Sequence, residues 1–276
     1  MSRRQTRIVA ALAVLMLAAA PAFLGVFSIT LLNYIGIYAL VALGLVLMTG
    51  IGGMVSFGQA SFVGIAAYST AWTSAVMGYS PWLGLLLALI MTGLVAALIG
   101  AVTLRLGGHF LSLSTIAWGL AIYFSFGNID GLGNYNGIAS IPPISIGAHA
   151  LSDSVDIYYL IWGVLLAAML GTHNLLNSRV GRAIRALRGG NALVESLGIN
   201  AFQVRLVTFV IAALMAAVAG WLYAHMTRFI SPTPFDVHVS IEYLMMALVG
   251  GSGQLLGAVV GATLITLMKN DIQDIL

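Results

Sequence analysis

Apolar positions in this chain run on in stretches much longer than a soluble core uses, with polar residues gathered between them. Residues 85–104, for example, hold no ionisable side chain at all. A bilayer core takes about 20 apolar residues per helix. On that measure the pattern predicts spans near 8–27, 29–49, 60–78, 82–104, 109–127, 157–176, 205–228 and 240–268. Backbone in hydrocarbon must satisfy its own N–H and C=O groups, which leaves helices or closed barrels. A barrel needs short strands alternating apolar and polar positions, so the runs select helices. The expected fold is an all-α polytopic membrane protein, one domain over 1–276 with about eight transmembrane helices.

Composition agrees: 61% of residues are hydrophobic and 7% charged, against about 25% charged in soluble domains. An even number of spans places both termini on one side. Arg3, Arg4, Arg7, Arg105, Arg179, Arg182, Arg185, Arg188, Arg205 and Lys269 then share that side, and only Arg228 falls opposite. By the positive-inside rule this side is cytoplasmic. The net charge of +3 is accounted for by topology and carries no argument for nucleic acid. With no cysteine, disulfides, thiolate metal sites and cysteine nucleophiles are excluded. Arg3, Arg4 and Arg7 followed by an apolar run to Pro21 have two readings, a cleaved signal peptide or an uncleaved first helix. The apolar run resumes directly after Pro21, which favours the helix.

Two polar loops stand out. The external one, about 128–156, follows Gly127 with "NIDGLGNYNGIASIPP". It reads equally as an irregular connection and as a docking surface, since small polar residues and a rigid Pro142–Pro143 pair suit recognition. The internal one, about 177–204, contains "GRAIRALRGGNALVESLGIN". Arg182, Arg185 and Arg188 spaced three apart, with Ala183, Ile184, Ala186 and Leu187 between, predict a short amphipathic helix with a basic face. Gly189 and Gly190 break it. Asn191 is placed to cap a second short helix, closed by Gly198. Arginines on anionic lipid head groups explain the basic face but not the two-helix design.

Glycine interrupts two apolar regions in a similar way: "TGIGGMVSFGQASFVG" at 49–64 and "VGGSGQLLGAVVGA" at 249–262. Paired glycine-rich breaks in the two halves of a transporter point to unwound helix along a transport path or its gate. Gly52, Gly53, Ser56, Gly58, Gln59, Ser61, Gly250, Gly251, Gly253 and Gln254 are the candidates. The alternative is close helix packing through small residues, the preferred reading for Gly257 and Gly261. The spans are otherwise nearly bare of ionisable groups, with Glu242 at the start of the last span and the single lysine, Lys269, beyond it. An ion-coupled secondary transporter usually buries such groups at mid-membrane, so external power is favoured. His109 and His225 near span ends read as locally bonded residues rather than proton relays. No nucleophile triad, zinc spacing or paired carboxylate supports an intramembrane enzyme.

The loop stretch, continued by "AFQVRLVTFVIAALMAAVAGWLYAH", "ISPTPFD" and "SIEYLMMALVGGSGQLLGAVVGA" and preceded by "LMTGIGGMVSFGQASFVGIAAYSTA", resembles the LivM-like permeases of branched-chain amino acid ABC importers over about residues 34–267. The resemblance implies a permease subunit, itself not an enzyme, in the bacterial inner membrane. Its coupling loop would dock on an ATPase through Arg182, Arg185, Arg188, Glu195, Ser196, Leu197 and Gly198, the family's Glu-x-x-Gly element falling on Glu195 and Gly198. Gly189–Gly190 departs from the charged or polar pair more usual there. The partners implied are two cytoplasmic ATPases carrying ATP and Mg, a second related permease, a periplasmic binding protein and membrane lipid. This chain has no G-x-x-x-x-G-K-[ST] of its own, so no cofactor is expected on it. The implied solute is a branched-chain or other small neutral amino acid, with urea, short amides and aromatic acids as alternatives.

Overall fold

The computed structural model describes residues 17–105, 109–147, 149–196 and 198–275. Arg3, Arg4, Arg7, Leu197 and residues 8–16 of the predicted first span lie outside them. Helix follows helix: α1 (residues 17–23), α2 (Val26–Leu45), α3 (Gln59–Ala71), α4 (Pro81–Thr103), α5 (His109–Asn128), α6 (Ser154–Asn177), α7 (Arg179–Leu187), α8 (Asn191–Ser196), α9 (Ala201–Thr227), α10 (Val237–Val249) and α11 (Leu255–Ile275). α2 and α3 run on into wider π-helical turns, Val46–Ile51 and Trp72–Val76. Among the described residues, six helical stretches are long and apolar enough to cross a membrane: Val26–Ile51, Pro81–Thr103, Phe110–Asn128, Ser154–Asn177, Ala201–Thr227 and Leu255–Ile272.

Starts and stops follow local chemistry. Ser80 accepts the Trp82 N–H while Pro81 opens α4, and Asn200 accepts the Gln203 N–H to open α9. α2, α3 and α9 form the centre, with α4, α6 and α11 packed around them. Small residues permit this. A methyl on Gly44 would lie 3.0 Å from the Ala212 carbonyl oxygen, and one on Gly220 2.2 Å from that of Val63. Lipid tails give helices no hydrophobic reason to associate, so close approach through Gly and Ala supplies the attraction. α2 is buried over 78% of its most apolar window, against 28% for α4.

The loop between α5 and α6 is tied down. Ile138–Ala139 (β1) pairs antiparallel with Phe229–Ile230 (β4), and Ser145–Ile146 (β2) with His149–Ala150 (β3). Trp82 donates its indole N–H to the Ser145 carbonyl, Arg228 donates to that of Ser152, and Ile141 and Ile144 are buried beneath. It forms a cap over one face of the bundle, here the loop face. Arg105, Arg179, Arg182, Arg185, Arg188 and Arg205 sit at helix ends on the opposite, arginine face.

The predicted single span 240–268 is corrected to two antiparallel helices, α10 and α11, reversed by Gly250–Gln254. Their backbones touch: a methyl on Gly250 would lie 1.8 Å from the Gly257 carbonyl oxygen, and one on Gly261 1.8 Å from that of Met246. Packing is therefore what Gly257 and Gly261 do. The reversal brings Lys269 beside Glu242, toward the loop face and away from the arginines. The expected placement of Lys269 and the end of α11 on the arginine side is corrected accordingly. The basic bias toward the arginine face survives without it.

Gly261→Val has no room at this hairpin and should lower stability in detergent by about 1–3 kcal/mol, the usual cost of overpacking. Gly163, with nothing within 4 Å of a methyl, should tolerate alanine without loss in the same thermal unfolding assay.

Candidate functional site

On the arginine face, Ser178 caps α7 by accepting the Gly181 N–H. Ala183, Ile184 and Leu187 are buried, while Arg182, Arg185 and Arg188 are exposed, the amphipathic helix the spacing predicts. Arg185 turns back on its own corner, donating to the Gly181 and Leu176 carbonyls. It thereby satisfies a carbonyl in the last turn of α6. Arg182 and Arg188 are left to face outward. In α8, Val194 is buried and Leu193, Glu195 and Ser196 are exposed. Gly198 is exposed with φ of 72°, the left-handed stop expected after a short helix.

The first glycine-rich segment meets this loop, and the second meets the first. Ile184 packs in one apolar cluster with Leu47 and Ile51 of the α2 terminus. A methyl on Gly53 (φ 70°) would lie 3.5 Å from the Arg188 Cα, and one on Gly50 2.8 Å from the Gly253 nitrogen. Three segments distant in sequence thus converge at one spot. Both glycine segments reverse the chain at the arginine face, and the first continues into a non-helical stretch before α3.

Between the turn and α3 the backbone is non-helical, and the protein satisfies it from within, as membrane depth demands. Thr115 of α5 accepts the Phe57 N–H at 3.0 Å, Ser56 the Gly58 N–H at 3.3 Å, and Ser240 of α10 the Ala60 N–H at 3.0 Å. Thr49 and Ser112 donate to the Met54 and Val55 carbonyls. Gly52, Ser56, Gly58, Gln59 and Ser61 are buried, and the Gln59 side-chain oxygen has no protein partner. Gly53, Gly253 and Gln254 are exposed, and Gly250 and Gly251 half-buried.

One feature escaped the pattern of apolar runs. Lys269 donates to both carboxylate oxygens of Glu242 at 3.0 Å, and Lys269 lies inside the apolar stretch Leu255–Ile272. In one straight helix these residues, 27 apart, would be separated by about 40 Å at 1.5 Å per residue. "GGSG" at 250–253 was the signal: splitting the span there sets the opposite charges side by side. Around them Tyr34, Tyr38, Tyr223 and Tyr243 form a connected set of rings with centroids 5.5–6.3 Å apart.

His225 is buried and bonded at both nitrogens. The Pro142 carbonyl 2.7 Å from Nδ1 accepts only, so Nδ1 carries the proton and Nε2 accepts from Thr70. It locks the cap to the bundle. Among the described residues no group of three or more His, Cys, Asp or Glu is arranged to hold a metal.

These features define a multi-pass helical membrane protein whose amphipathic loop is packed against one helix-reversing turn, which itself touches a second. The chain belongs to the family described as branched-chain amino acid transport system / permease component, matched over residues 27–275. It is 29% identical over 262 residues to the high-affinity branched-chain amino acid transport system permease protein LivM of Escherichia coli, covering 86% of this chain and 62% of that protein. It is 30% identical to LivH of Escherichia coli over 254 residues and 31% to BraD of Pseudomonas aeruginosa over 246, each match covering 83% of this chain and 79% of the relative. The chain thus spans 62% of the length of the LivM relatives from Escherichia coli and Salmonella typhimurium. No solved structure matches it.

Thr115→Val strands the Phe57 N–H in the bundle and should destabilise the protein by about 1–3 kcal/mol. Thr115→Ser keeps the acceptor and should stay close to the parent chain in the same unfolding measurement.

Proposed function

We propose that this chain is the permease subunit of an ATP-binding cassette importer in the bacterial inner membrane, moving branched-chain or other small neutral amino acids inward. The observation that carries the reading is the packing of α7 on the α2 terminus and Gly53, where Gly50 in turn touches the Gly250–Gln254 turn. A force on that loop reaches the end of α2 directly, and α10 and α11 through the touching turns, at glycines that permit backbone rotation. The family match and the names of LivM, LivH and BraD support the solute class.

On this reading the arginine face is cytoplasmic, which its charge bias supports. Two ATPase subunits, which hold ATP and Mg, grip α7 and α8 of this chain and the matching loop of a second, related permease. Arg182, Arg188, Leu193, Glu195 and Ser196 present the docking surface. A periplasmic binding protein delivers solute to the loop face, and closure of the ATPases drives alternating access. Selectivity resides mainly in the binding protein, so the path itself needs only weak affinity.

The test is uptake of radiolabelled leucine by cells carrying the whole transport system, with Leu193→Glu and Glu195→Arg introduced in α8. Each substitution is exposed and should leave the chain in the membrane while cutting uptake at least tenfold. Uptake that survives both substitutions, or that persists without ATP and follows an ion gradient, would show the loop to be a lipid-facing helix pair on an ion-driven carrier.

A further inference from the structure

The Glu242–Lys269 pair sits where an ion pair needs explaining. Its side chains keep 35% and 54% of their exposure, yet they belong to apolar helices, and charge facing lipid is strongly disfavoured. Holding the hairpin together is a weak reason for it. An exposed ion pair contributes little, and α10 and α11 are already joined by backbone contact at Gly250, Gly257 and Gly261.

What lies next to the pair is space. A cavity of about 240 Å³ is lined by Lys269 together with Phe27, Thr30, Leu31, Tyr34 and Tyr38. This is just under the roughly 300 Å³ at which drug-sized pockets begin, a size for a small solute. A second, smaller cavity of about 90 Å³ adjoins it, sharing Thr30 and Tyr34 and lined further by Asn33, Asp153 and Arg228. Asp153 and Arg228 belong to the loop face. The two cavities therefore lie side by side between that face and Lys269, which holds Glu242. Tyr34 lies roughly 12 Å along α2 from its start, at 1.5 Å per residue.

We infer that Glu242 and Lys269 form a binding station for the zwitterionic head of an amino acid, reached from the loop face. The substrate carboxylate takes the Lys269 ammonium and the substrate ammonium takes the Glu242 carboxylate, so one internal ion pair opens into two. The aliphatic side chain lies against Phe27 and Leu31, with the Tyr34 and Tyr38 rings beside it. No net charge enters the site, because both partners are neutral overall. The inference rests on the transport reading above and names the residues that receive its substrate.

The chain has no cysteine, so a single introduced thiol is a unique probe. Asn270 lines the cavity, and Leu264 is exposed on another side of α11. In cells carrying the whole system, Asn270→Cys should react with a membrane-impermeant charged thiol reagent, and Leu264→Cys should not. Leucine should slow the Asn270→Cys reaction at least fivefold. Isovalerate and isoamylamine, each with one of the two charges, should not. Glu242→Gln and Lys269→Met should each raise the KM for leucine uptake at least tenfold at unchanged membrane levels. An unreactive Asn270→Cys, meaning lipid or a partner helix covers this face, overturns the inference, as does reaction without leucine protection. Either result beside normal leucine uptake leaves the transport reading standing. An unsubstituted chain that takes up no leucine overturns both.

Discussion

Backbone that leaves the helix inside a membrane must find every hydrogen bond within the protein, and the architecture answers that constraint in two places. Between α2 and α3, Thr115, Ser240, Ser56, Thr49 and Ser112 supply the partners that a helix would have provided. Between α10 and α11 the turn is placed at the arginine face and closed by backbone contact across glycines. Because Thr115 belongs to α5 and Ser240 to α10, the same bonds that satisfy the break also set how those helices lean on α3. A chain reversal here is thus an organising joint of the bundle.

The joint gains meaning from what rests on it. α7 lays Ile184 against Leu47 and Ile51 and turns its arginines outward, so its apolar side reads the position of α2 while its polar side is free to meet another molecule. Gly50 leaves room for the Gly253 backbone, while Gly53 and Gly253 take the positive φ that the two turns need. At the far side of the bundle the loop cap is fastened by His225, Arg228 and Trp82. One face is therefore built as a fixed lid and the other as a surface helix resting on the first of two touching turns.

Much of this was legible in the chain. Long apolar runs gave the helical class, the three-residue arginine spacing gave α7, and Gly189–Gly190 and Gly198 marked the ends of the short helices. The glycine segments were recognised as special, but a one-dimensional pattern does not reveal whether a break unwinds a helix or reverses it. Reversal depends on Gly257 and Gly261 meeting Gly250 and Met246 across the hairpin. That misreading hid the pair of Glu242 and Lys269, since a straight span puts them at opposite ends. The Ser and Thr partners of the 52–60 backbone were likewise invisible, because Thr115 and Ser240 acquire their roles only through tertiary contact.

The central claim is that the loop helix α7 and the first glycine turn touch and work as one mechanical unit. Gly53 and Arg188 test it directly, since a Cβ built on Gly53 lies 3.9 Å from the Arg188 Cβ, inside the roughly 3.5–4.5 Å range that a disulfide spans. The measurement is oxidative cross-linking of Gly53→Cys/Arg188→Cys in the cysteine-free chain, read together with leucine uptake. The account predicts rapid disulfide formation under mild oxidant and uptake that stops when the bond forms and returns on reduction. Two thiols that fail to join, or that join with no effect on uptake, would contradict it.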